Sequence, residues 1–238
     1  MLNIVKVDVD GGAMAVEVTR PETGTPLPGI VLCHHREGVD EFTRDAADRL
    51  ADAGYVVAVP NMYHRRPSGE TWEVSRKTMQ DVEVVADIKA TAEFLKRQPF
   101  VRADSIAIVG HCMGGRSAFI GVAATPLFKA AVVLYGGHIF KTEGQGMPAP
   151  IALVGNIKAE MLNLYGTEDH IIPLDEVRKL EQVLKDNHVK SEFHIYEKAG
   201  HAFQDFSRPD HYRKAASDDA WTRMVTFLRK VLRPGAPS

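Results

Sequence analysis

The stretch from Ser105 to Ile120 constrains this chain most. Ile106-Ala107-Ile108-Val109 is an apolar run, and Gly110-His111-Cys112-Met113-Gly114-Gly115 packs three glycines around one cysteine. Arg116-Ser117-Ala118-Phe119-Ile120 then suits a helix. A strand that enters a tight turn and leaves as a helix puts Cys112 at the tip, in a strained backbone conformation. The residues two before and two after the tip lie close together, and side chains there would clash, which accounts for Gly110 and Gly114. The outgoing helix points its N-terminus at the tip. Its free N–H groups and positive dipole end favour a thiolate and a developing oxyanion. Over these six residues alone, a glycine-rich turn around an inert, buried cysteine reads the same.

Strand and helix patterns alternate on either side of that turn. Residues 2–9 and 13–19 read as an antiparallel hairpin turned by Asp10-Gly11-Gly12. Gly29–His34 is a continuous apolar run, as in a central strand buried on both faces. Phe42, Ala46, Leu50 and Ala53 recur at helical spacing up to Gly54. Residues 55–59 are the next buried strand, broken by Pro60, and 61–70 is an irregular basic loop. Val74, Met79, Val82, Val85, Ile88, Ala92 and Leu95 predict one long helix over 71–97. Further strands are expected at 105–109, 130–135, 160–165 and 191–196, and further helices at 174–187 and from about 210 to 232. The tail from Arg233 is expected to fray. This order implies the α/β class: a mostly parallel central sheet with helices on both faces and an N-terminal antiparallel hairpin. One domain is expected over residues 1–238.

Composition removes several function classes. A net charge of -2 gives no basic footprint for nucleic acid. No apolar run approaches membrane-spanning length, and the first residues lack the apolar core of a signal peptide. The two cysteines, Cys33 and Cys112, fall at the ends of predicted buried strands, which argues against a disulfide framework and suits a reducing cytoplasm. The expected partner is a small molecule, with no nucleic acid and no membrane. The chain is expected to be a monomer or small homo-oligomer.

Gly-x-Cys-x-Gly between strand and helix is the nucleophile elbow of the α/β-hydrolase fold, with cysteine in place of serine. A nucleophilic cysteine needs a base within hydrogen-bond reach, and the base needs an orienting group. The chain supplies both in the order this fold uses. Asp169 follows a strand in Gly166-Thr167-Glu168-Asp169, and His201 follows another in Ala199-Gly200-His201-Ala202-Phe203. Asp169 would fix the imidazole tautomer and stabilise the imidazolium. Glu168 and His170 read as surface turn residues, the alternatives for the acid position. An oxyanion hole needs two backbone N–H groups. Met113 supplies one, and the loop after Gly29–His34 supplies the other, best placed at Arg36. Cys33-His34-His35 with His111 suggests metal ligands, but adjacent strand residues point to opposite faces and no second pair has zinc spacing. No metal and no cofactor is expected. Trp72 and Trp221 read as helix-packing residues.

With Gly-His-Cys-Met-Gly-Gly, Gly-Thr-Glu-Asp and Gly-His-Ala-Phe in place, the chain resembles the dienelactone hydrolase family over nearly its whole length. Tyr135-Gly136-Gly137, Arg208-Pro209 with Tyr212, and Ala220-Trp221 also resemble that family. The resemblance implies hydrolysis of a small ester or lactone, of the carboxymethylenebutenolidase type, with Cys112, His201 and Asp169 as triad. It also implies a glutamate that holds the resting thiol neutral. Aligned through Gly38-Val39-Asp40, that position is His35, and Glu37 lies two residues later. Three readings stay open: Glu37 takes the vacant place, His35 contacts Cys112 and favours the thiolate, or His35 only lines the pocket. The family holds a substrate carboxylate with arginines. Arg208 matches one of them, and Arg76, Arg65 or Arg66 would serve for the other. The competing functions are a broad-specificity carboxylesterase, a carbon–halogen hydrolase and a ligand-binding module with a dead pocket. Carbon–halogen cleavage normally uses a carboxylate nucleophile, and the complete triad argues against the binding module.

Overall fold

The computed structural model describes residues 2–232. The expected frayed tail lies outside the described residues. The alternating and continuous apolar runs form eight strands: β1 (Leu2–Val9), β2 (Gly12–Thr19), β3 (Leu27–Cys33), β4 (Val56–Pro60), β5 (Val101–His111), β6 (Ala130–Leu134), β7 (Glu160–Gly166) and β8 (Ser191–Tyr196). They make one sheet in the order β1-β2-β4-β3-β5-β6-β7-β8. β1 pairs antiparallel with β2, and β2 antiparallel with β4. Every pair from β4 through β3 to β8 is parallel. All residues of β4 and β6 are buried, whereas the outer strand β1 mixes exposed and buried positions and every residue of β8 is exposed or half-buried. That is the expected difference between strands covered on both faces and strands at a sheet edge.

Among the described residues six α-helices cover the sheet: α1 (Glu41–Asp52), α2 (Trp72–Thr78), α3 (Asp81–Lys96), α4 (Met113–Ala124), α5 (Leu174–Asp186) and α6 (Lys214–Leu232). The Asp40 side chain caps α1 by accepting the Thr43 N–H at 3.0 Å. In α5 the buried residues are Val177, Leu180 and Leu184, one stripe of an otherwise polar helix. In α4 every residue from Met113 to Ala123 is buried, so the elbow helix is held on all sides.

The helix expected over 71–97 is two helices. Met79 and Gln80 are extended, with ψ of 139° and 147°. The apolar period runs through this break, but Asp81 has partners that a continuous helix would forfeit. Its N–H donates to the Glu143 carbonyl at 2.9 Å, and its carboxylate pairs with the buried Arg116 of α4. The last helix starts at Lys214 rather than near residue 210, because the Arg213 N–H goes to the Phe203 carbonyl at 2.9 Å. Pro60 ends β4 from inside the strand, opposite Val16. β5 begins earlier than expected, at Val101.

Candidate active site

The elbow joins β5 to α4. Cys112 has φ +56° and ψ -119°, the strained tip conformation expected from the sequence. Its N–H donates to the Leu134 carbonyl of β6 at 3.0 Å. A Cβ on Gly110 would lie 1.9 Å from the Gly114 oxygen, and a Cβ on Gly114 would lie 2.1 Å from the Cys33 oxygen. No side chain fits at either position. Met113 opens α4, so its N–H has no acceptor within the helix and is available to a ligand.

The loops after β7 and β8 close against each other. A Cβ on Gly166 would sit 2.1 Å from the Ala199 oxygen, and the Glu168 N–H donates to that oxygen at 2.9 Å. The contact brings Asp169 to His201. Asp169 Oδ1 accepts the N–H groups of Ile171 and Ile172 at 2.8 and 3.0 Å, and Oδ2 accepts from His201 Nδ1 at 2.8 Å. His201 Nε2 lies 3.0 Å from Cys112 Sγ. Burial pulls the His201 pKa down, but hydrogen bonds and charge from Asp169 and Cys112 outweigh it and raise the value to about 9. His201 is therefore an imidazolium at neutral pH, 3.0 Å from the sulfur. The Tyr135 ring stands edge-on to His201, centroids 5.3 Å apart. Glu168 and His170, the alternatives for the acid, are exposed.

The loop after β3 supplies the opposite wall. His34 turns away: its Nδ1–H donates to the His35 carbonyl at 2.7 Å and its Nε2 accepts the Met62 N–H at 3.1 Å. Burial lowers its pKa to about 4, which keeps the ring neutral. His35 is clamped between Glu37 (Nδ1–Oε2 3.0 Å) and Asp40 (Nε2–Oδ2 2.8 Å). Both of its ring nitrogens thus face carboxylates. Glu37 also accepts from Arg36 Nε at 2.9 Å and forms a tight ion pair with Arg208. Arg208 in turn lies 3.2 Å from Asp205. The Arg36 carbonyl accepts the Tyr63 hydroxyl at 2.7 Å, and that hydroxyl lies 3.3 Å from Met113 Sδ. Tyr63 therefore fastens the Arg36 loop to the elbow helix.

Two cavities meet at Cys112. The inner one, about 200 Å³, is lined by His35, Glu37, His201, Asp205 and Arg208 together with Cys112. The outer one, about 570 Å³, is lined by Trp72, Arg76, Met113, Gly137 and Ile171 together with Cys112. The structure thus gathers His35, Glu37 and Arg208 in one place and puts Arg76 elsewhere, paired with Glu143 at 2.6 Å. Trp72 is not a plain packing residue: it lines the outer cavity, with the Arg36 guanidinium 4.9 Å over its ring. Tyr63 had no motif to announce it, since nothing local marks a tyrosine that serves a distant loop, whereas Tyr135 stands in the Tyr135-Gly136-Gly137 stretch that resembles the family. Among the described residues, no cluster of three or more His, Cys, Asp or Glu has metal-binding geometry.

The sheet order, the elbow after β5, and Asp169 and His201 on the loops after β7 and β8 define an α/β-hydrolase. The chain belongs to the dienelactone hydrolase family, whose pattern matches residues 14–232. It is 31% identical over 235 residues to a Salmonella typhimurium protein provisionally named a carboxymethylenebutenolidase, covering 94% of this chain and 86% of that one. It is 27% identical over 231 residues to a Bradyrhizobium protein provisionally named a 2-oxo-3-(5-oxofuran-2-ylidene)propanoate lactonase, covering 94% and 92%. Among solved structures, a Klebsiella pneumoniae protein provisionally named a dienelactone hydrolase superposes with a TM-score of 0.87 at 28% identity, covering 97% and 98%. Family membership and fold together support an ester or lactone hydrolase. Among the described residues, no helix is long and apolar enough to cross a membrane.

Proposed function

We propose that the chain hydrolyses a small ester or lactone through a thioester on Cys112. The observation that carries this is the contact chain from Sγ of Cys112 to Nε2 of His201 (3.0 Å) and from Nδ1 of His201 to Asp169 (2.8 Å). In the reacting pair the Cys112 thiolate faces the His201 imidazolium. The thiolate attacks the acyl carbon, and the carbonyl oxygen becomes an oxyanion between the N–H groups of Met113 and Arg36. As the intermediate collapses, the carbon–oxygen bond breaks and the departing alkoxide takes the His201 proton. Neutral His201 then removes a proton from water, and the hydroxide adds to the thioester. Breaking the carbon–sulfur bond releases the acid and restores the thiolate and imidazolium. Asp169 holds one tautomer throughout.

The test is a panel of activated esters and enol lactones assayed with the unaltered protein and with Cys112→Ala. Turnover that disappears with the thiol supports the scheme. Turnover that survives ends it, as would failure of a hydrolysing sample to trap a thioester on Cys112 after acid quench. A carboxylesterase of broad range would use the same residues and differ only in how flat the panel is.

A further inference from the structure

The two cavities differ in size and in chemistry, and that difference bears on what the site accepts. The inner cavity holds charges that are already matched. Its two lining carboxylates, Glu37 and Asp205, face its two lining arginines, Arg36 and Arg208. Arg208 touches both carboxylates, and Arg36 Nε is on Glu37 at 2.9 Å. Asp205 is buried and is held in place by the Ser207 N–H and hydroxyl, at 3.0 and 2.6 Å. A substrate carboxylate entering here would have to break a made ion pair, and it would leave a net negative charge in a confined space. Arg76, the other arginine placed for a carboxylate, is engaged by Glu143, which is held well down at about 2 against its burial by His138, Arg76 and Arg116.

The outer cavity is nearly three times larger and opens on the same sulfur. Trp72, Met113, Gly137 and Ile171 give it apolar walls, its Arg76, Arg116 and His138 are engaged by Glu143 or Asp81, and Glu73 and Lys77 lie on the exposed rim of α2. At about 570 Å³ it lies in the range of ligand pockets, which the inner cavity does not reach. Gly137 packs closely behind this wall, since a Cβ there would fall 2.9 Å from the buried Ile172 side chain. Tryptophan beside a partly exposed apolar wall suits a flat or extended hydrocarbon group.

We propose that the site takes an uncharged ester or lactone carrying a bulky apolar arm, the arm lying in the outer cavity against Trp72 and the reacting carbonyl seated at Cys112. The inference rests on Cys112 as nucleophile, and the experiment separates the two.

The unaltered enzyme is assayed on 4-nitrophenyl esters from acetate to decanoate, and on acetates of alcohols from ethanol to 2-naphthylethanol. It is also given two matched pairs: 4-nitrophenyl hexanoate against the mono-4-nitrophenyl ester of adipate, and a carboxylated five-membered enol lactone against its methyl ester. In at least one series kcat/KM rises with the arm, and in both pairs the uncharged member is faster by about tenfold or more. Trp72→Ala lowers kcat/KM for the longest productive arm by about tenfold more than it does for the acetate, mainly through KM. Flat or falling profiles in both series, or faster turnover of the carboxylated members, overturn the inference while Cys112-dependent turnover leaves the mechanism standing. An equal loss on acetate and on the long arm in Trp72→Ala overturns the placement of the arm. Turnover that persists in Cys112→Ala overturns the mechanism itself.

Discussion

Cys33 and Cys112 stand at the carboxyl ends of neighbouring parallel strands, β3 and β5, where Cys33 pairs with Gly110. Their environments are opposite. Cys33 is inside its strand and buried, and burial with the Asp87 charge pushes its thiol far above the usual range. Cys112 lies one residue past its strand, at φ +56°, partly exposed at the start of α4, with an imidazole 3.0 Å from its sulfur. The backbone of Cys33 nevertheless matters to the elbow, because its carbonyl is what a Gly114 side chain would strike. Thiol reactivity here is set by one residue of register and one turn, and the two ends serve the site by different means: one through a sulfur, the other through a peptide oxygen.

The largest effect should come from that contrast. Iodoacetamide at neutral pH should label Cys112 faster than Cys33 by roughly 10³-fold or more, because thiolate fraction and access both favour it. Peptide mapping against time gives the two rates, and activity should fall with the Cys112 rate. Comparable labelling of both thiols in folded protein would erase the distinction.

Next comes the group that sets the charge on His201. Asp169→Asn should lower kcat by roughly 10³- to 10⁴-fold with little loss of folding. The pH profile carries the sign. His201 is raised to about 9, so the proton it gives to the leaving group is present below that value and lost above it. Activity should therefore decline as pH rises through about 9. Without the Asp169 charge and hydrogen bond the His201 pKa falls, and the alkaline limb should move to lower pH. A limb that stays in place in Asp169→Asn would mean that another group governs it.

A smaller effect is expected at Tyr63. Tyr63→Phe removes the hydroxyl that holds the Arg36 carbonyl at 2.7 Å. The hydrogen bond is worth about 1 kcal/mol, so kcat should fall by about fivefold to tenfold with KM changed less. A rise in KM alone, with kcat unchanged, would assign Tyr63 to substrate contact instead of loop positioning.

Much of this arrangement is legible before any coordinates. Cys112, Asp169 and His201 each follow a predicted strand in the order of a known fold, and Gly110, Gly114 and Gly166 mark where backbones approach closely. The break at Met79-Gln80 is not legible, because apolar periodicity continues through it and its cause is tertiary: the bonds of Asp81 to Glu143 and Arg116. The role of His35 is not legible either. Its partners, Glu37 and Asp40, are near in sequence, yet their turn geometry exists only once Asp40 caps α1. The outer cavity is assembled from α2, the elbow and the loops after β6 and β7, segments far apart in the chain. Patterns within a window report local structure and motif chemistry, whereas a cavity is a property of the packing between windows.

The smallest expected effect is at Cys33, and it closes the comparison from the other side. If β3 serves the site through its backbone, removing the sulfur should leave catalysis alone. Cys33→Ala deletes one buried atom that packs as a small hydrophobe, so unfolding should cost about 1 kcal/mol less than in the unaltered protein. The Cys33 carbonyl remains against Gly114, the elbow keeps its shape, and kcat/KM together with the Cys112 labelling rate should be unchanged. Urea unfolding read beside ester turnover measures both. A change in turnover larger than about twofold at unchanged Cys112 labelling would show that the buried thiol reaches the site, since the packing alone predicts none.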